Sequence, residues 1–211
     1  MILISAAFSQ VYDIGDQVTL EDQMTEFEVC YGDYPSENLK LADFNGELNG
    51  GNYAVTFIAL QSGTWDGWAG IAPQVEEVIL ELSEHEFVQA FSTVYFPTGA
   101  FTCEEWGELG ESGVPVLIET FTMYSWFMYD GFPEFVILDH NMTVFDKPPE
   151  LDPAYINERI QDALDNCNQC NTSWSVQINY NEGWNLVGLP VGVEDASYNI
   201  LFPESIEGTL Y

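Results

Sequence analysis

The run YAVTFIAL at residues 53–60, followed by SGTWDGWA at 62–69, decides the architecture of this chain. Every residue of the first run except Thr56 is apolar, which fits a central strand buried on both faces rather than a half-exposed one. Ser62-Gly63 then breaks the strand. Beyond the turn, Ile71, Ala72, Val75, Val78, Ile79 and Leu82 recur at helical spacing, with Glu76, Glu77 and Glu81 on the other face, so an amphipathic helix is predicted over 71–82.

Working outward, FVQAFSTVYF at 87–96 reads as a second strand, and Thr102-Cys103-Glu104-Glu105 as a capping box that opens a short helix. Residues 114–118 are brief and apolar, and 121–129 are aromatic-rich, either a helix or an irregular lid. EFVIL at 134–138 and MTVF at 142–145, separated by Asp139-His140-Asn141, predict a β-hairpin. Asp152 caps a final helix with Pro153 at its first position and Ile156, Ile160, Ala163 and Leu164 along one face, ending near Asp165. Upstream, FEVCY at 27–31 is a first short strand. This order is that of an α/β domain, a small mixed central sheet flanked by helices.

Composition bounds what such a domain does. Asp and Glu number 35 against three Lys and Arg, a formal net charge of −32, while hydrophobic residues make up 46% of the 211. A chain so rich in apolar bulk folds, and a field so negative repels nucleic acid and anionic membrane surfaces. The charge reads as a highly solvated surface. Asp43, Asn45, Glu47 and Asn49 come nearest to a calcium loop, but lack its central Gly and terminal Glu, so a glycine-rich turn is expected and no metal or cofactor. His85 and His140 are isolated singles that make no zinc site.

Residues 1–9 (MILISAAFS) resemble the tail of a secretory signal, with Ala7 and Ser9 at the spacing a signal peptidase prefers. No positive n-region precedes them, so an apolar N-terminus is the other reading. The signal-remnant reading implies a periplasmic or secreted protein in which disulfides form. No other stretch is long and apolar enough for a membrane span, so no membrane insertion is expected. Residues 10–25 form a polar extension, 26–170 the main domain, and 171–211 a β-rich segment read as an incomplete module or as strands docked onto the main domain.

With the elements in place, residues 53–164 resemble the thioredoxin superfamily, most closely its extracytoplasmic redoxin or TlpA-like branch. YAVTFIAL running into Ser62-Gly63-Thr64-Trp65-Asp66-Gly67-Trp68-Ala69 is similar to the A-T-W-C-x-x-C turn at the head of that family's first long helix, and Pro73 lies where the family often has a proline. Gly131-Phe132-Pro133-Glu134 and the strand to Asp139 resemble the family's G-x-P strand, whose proline follows a cis peptide bond. The departure is chemical. With Trp65 as the family tryptophan, the two cysteine positions hold Asp66 and Ala69; shifted by one residue they hold Trp65 and Trp68.

A helix N-terminus lowers a thiol's pKa, and Asp66 placed there caps the helix but cannot exchange with disulfides. Cys167-Asn168-Gln169-Cys170 has redox spacing, yet it follows the last helix, whose negative end and Asp162 and Asp165 disfavour thiolate, so a local disulfide is expected. Cys103, in the first turn of a capped helix, is the candidate reactive thiol; Glu104 and Glu105 oppose it, and a buried or disulfide-bonded role, with Cys30 among the partners, is the alternative. Four cysteines allow three pairings.

What the resemblance implies is recognition: the backbone beside Pro133 pairing with an extended peptide, framed by Phe132 and by Trp65 and Trp68. The tryptophans equally suit simple packing in the loop. Three functions therefore stand: a peptide- or protein-binding redoxin-like domain without turnover, an oxidoreductase using Cys103, and a structural or adhesive part of a larger exported protein.

Overall fold

The computed structural model describes residues 11–63, 69–96, 101–110, 116–128 and 133–170. The chain divides into two units, Met1–Thr172 and Ser173–Tyr211. The second, with the β-rich segment expected there, and the leader expected at 1–9 lie outside the described residues.

In chain order the first unit contains α1 (Leu20–Gln23), β1 (Phe27–Gly32), β2 (Asn38–Leu39), a 3-10 turn (Leu41–Phe44), β3 (Val55–Ser62), α2 (Ala72–Ser83) and β4 (Val88–Tyr95). It continues with α3 (Cys103–Gly107), β5 (Val116–Glu119), α4 (Thr122–Phe127), β6 (Glu134–Leu138), β7 (Val144–Asp146) and α5 (Pro153–Asp165). The strands form one seven-stranded sheet in the order β2-β1-β5-β4-β3-β6-β7. β3, β4 and β5 run parallel, and β6 returns antiparallel to β3. The hairpin expected from 134–138 and 142–145 is β6–β7, closed where Asp139 Oδ1 accepts from the Asn141 and Thr143 amides, with Met142 at φ 61°.

Every residue of β3 is buried, and its alternation distributes two cores. Val55, Phe57 and Ala59 face α2 and α5, meeting Val75, Ile79, Ile156 and Ile160. Ile58 and Leu60 face the other layer, meeting Tyr124 and Phe127 of α4 and Leu41 and Phe44 of the 3-10 turn. Helices thus cover both faces of a mixed sheet, as strand and helix periodicities predict.

Two findings depart from the sequence pattern. The polar stretch before β1 sends Tyr12 and Val18 into the core and bonds its backbone to Trp126, Met142 and Val144. Glu76, expected on the solvent face of α2, is only 3% exposed. The segment after α3 crosses that flank of the helix: a Cβ added at Gly110 would fall 1.2 Å from Glu76 Oε2.

Candidate functional site

In an open sheet with parallel strands, the end where those strands finish is where ligands are met. β3 finishes at Ser62, paired with Tyr95 at the end of β4. Gly63 continues the contact, its amide donating to the Tyr95 carbonyl at 2.9 Å. A side chain at Gly63 would fall 2.2 Å from the Phe96 ring, so this turn leaves the sheet by a close approach that only glycine allows. Thr64, Trp65, Asp66, Gly67 and Trp68 lie outside the described residues. Ala69 returns the chain, and α2 begins with Pro73 in its first turn, where a missing amide proton costs nothing. The cap position of α2 is Ile71, which supplies no side-chain hydrogen bond.

The second arm of this end is β6. Glu134, its first residue, pairs with Leu60 of β3, so Pro133 leaves the sheet beside the strand that leads into the turn. Phe132 lies outside the described residues. Lys147, after β7, donates from Nζ to the Phe127 carbonyl at 2.9 Å, a cation at the negative end of α4. Burial lowers the Lys147 pKa.

Cys30 of β1 and Cys103, the first residue of α3, form a disulfide with Cα atoms 6.1 Å apart. Cys103 therefore carries no thiol. The capping box forms in full: the Thr102 amide donates to Glu105 Oε2 at 2.8 Å, and the Glu105 amide to Thr102 Oγ1 at 3.1 Å. The two cysteines share a cluster with Tyr31, Trp106, Phe96 and Phe101, and the same cluster takes in Ala69 and Ala72 at the start of α2. Cys167 and Cys170 form the second disulfide beyond α5, with the Cys170 amide donating to Cys167 Sγ at 2.9 Å. No cysteine is free.

Sequence reasoning missed an aromatic cluster at this end. Tyr95, Phe121 and Tyr124 approach one another with ring centroids 4.9, 6.2 and 6.4 Å apart. Tyr124 is fully buried and Phe121 is 53% exposed. Burial, then the Glu134 carboxylate, pushes the Tyr124 phenol far above its usual value. The signal was present: Tyr95 ends a strand, and Phe121 and Tyr124 are three apart on a helix, hence on one face.

Among the described residues no His, Cys, Asp and Glu groups converge as a metal set. The residues of the candidate calcium loop bond within the protein instead: Asp43 Oδ2 accepts from the Lys40 amide, and Asn45 Nδ2 donates to Gln23 Oε1. Among the described residues no helix is long and apolar enough to cross a membrane.

No family profile and no curated protein matches the chain. Solved structures do. A protein disulfide isomerase assignment from Bacteroides thetaiotaomicron shares 11% identity over 74% of this chain and 95% of its own, with a TM-score of 0.51. The pneumococcal exposed lipoprotein thioredoxin of Streptococcus pneumoniae shares 10% identity over 65% of this chain and 98% of its own, at TM-score 0.50. A Neisseria meningitidis chain assigned as a thioredoxin shares 15% identity over 70% and 93%, also at 0.50. The fold is thioredoxin-like.

Proposed function

We propose that this chain is an extracytoplasmic thioredoxin-like domain that binds an extended peptide or protein segment at the Pro133 end of its sheet, without thiol–disulfide turnover. One observation carries the reading: residues 62–69 contain no cysteine, while all four cysteines of the chain are consumed in two disulfides. A stretch without cysteine can frame a groove but cannot attack sulfur. Backbone beside Pro133, with Trp65 and Trp68 as flanking surfaces, supplies the recognition. Two disulfides suit an oxidising compartment, and one structural neighbour is named an exposed lipoprotein.

A second reading has its own observation. The Cys30–Cys103 bridge packs against the same cluster as Ala69 and Ala72 at the start of α2. An oxidoreductase would then use Cys103. Insulin reduction in the presence of dithiothreitol separates the two: the binding reading predicts no acceleration over dithiothreitol alone, and acceleration abolished by Cys103→Ser would replace it with the second reading.

A further inference from the structure

We infer that the segment recognised at this end carries a Lys or Arg side chain, seated over the aromatic cluster of Tyr95, Phe121 and Tyr124. The inference rests on the peptide-binding reading and names the chemistry of its ligand. Three aromatic rings within 6.4 Å of one another present concentrated negative π-faces, and such faces attract ammonium and guanidinium groups. Phe121 and Tyr124 are near-parallel, at 25° between planes, which leaves the outer ring as a platform backed by the inner one. Phe121, 53% exposed, is the accessible member, and the fully buried Tyr124 beneath it fixes the platform in place.

Charge selects the occupant. A chain at −32 repels an acidic segment and draws a basic one. The Glu134 carboxylate acts on the Tyr124 hydroxyl. The one cation nearby, Lys147, donates its Nζ proton to the Phe127 carbonyl. Net charge alone gives attraction without an address; the rings supply the address.

Spacing follows from the sheet. Tyr95 pairs with Ser62 and Glu134 with Leu60, on strands either side of β3, so the platform and the Pro133 backbone are two strand spacings apart, about 10 Å.

Calorimetric titration of the full chain with extended octapeptides identical except for one Lys, Gln or Glu tests this. The Lys peptide is expected to bind about fivefold tighter than the Gln peptide, the size of one partly desolvated cation–π contact, and Phe121→Ala to collapse that ratio toward one. Phe121 is exposed enough for the variant to fold, which circular dichroism checks. Equal affinity for Lys and Gln peptides would overturn the inference and leave peptide binding standing. So would a Lys preference that survives Phe121→Ala but vanishes in 0.5 M salt, since the net field alone would explain it. Self-association abolished by Phe121→Ala would overturn it by making a second copy the occupant. Failure of every peptide to bind would sink the peptide-binding reading itself.

Discussion

Arg159 ties together three side chains, Asp146, Asp162 and Phe145. Its Nε meets Asp146 Oδ2 at 3.0 Å, its guanidinium lies 4.7 Å from the Phe145 ring centroid, and a second nitrogen reaches Asp162. Asp146 is 8% exposed and also accepts from the Tyr155 hydroxyl and the Lys147 amide. Arg159→Ala leaves that buried carboxylate without its cation and is expected to cost about 2–3 kcal/mol in urea unfolding, below the full buried-pair penalty because Arg159 is partly solvated. Arg159→Lys restores charge but not the planar fork or ring stacking, and should recover only part. At this scale the sequence was partly legible. The turn at 64–68 lies outside the described residues, while the strand that Pro133 leads into could be read from its apolar run. Glu76 could not, since a helical wheel does not know which segment will cross it.

The elements were the most legible layer. The burial of β3, the apolar stripes of α2 and α5, the Thr102 capping box and the β6–β7 hairpin all follow from local periodicity or side-chain-to-backbone bonding. Helix α1 and strand β2 were missed, being only four and two residues long, too short for any period to emerge. Disulfide pairing was not legible either, because Cys30 and Cys103 are 73 residues apart and meet only through the docking of α3 on β1. That separation sets a prediction. Closing so long a loop stabilises by on the order of 4 kcal/mol, against about 2 kcal/mol for the tight Cys167–Cys170 ring. Denaturant unfolding of the two double Cys→Ser variants should show the larger loss for the Cys30/Cys103 pair. The reverse order would mean that α3 is held by its packing rather than by its bridge.

Across the whole molecule, protonation should govern the alkaline limit. Tyr12, Tyr34 and Tyr124 are held above the ordinary phenol pKa of 10.0 chiefly by burial, and Tyr155 chiefly by its bond to Asp146. Above that pH the unfolded chain releases phenolic protons that the fold retains, so stability falls as pH rises. Lys147 acts oppositely. Its folded pKa lies below 10.5, so the unfolded chain holds its proton longer and stability gains between the two values. Four phenols against one ammonium predict a urea midpoint that drops as pH rises above about 10; a flat profile there would show that these hydroxyls stay solvated.

On the proposed reading, the sheet end bearing Ser62, Gly63 and Pro133 recognises polypeptide without exchanging electrons. An amide-resolved NMR titration of the labelled chain with an extended Lys-bearing peptide is the decisive test. Shifts concentrated at the Gly63, Ala69, Tyr95 and Glu134 amides, with both disulfides intact throughout, are the expected result. Shifts confined to the β6–β7 turn or the Cys167–Cys170 end, or a mixed disulfide between peptide and protein, would contradict it.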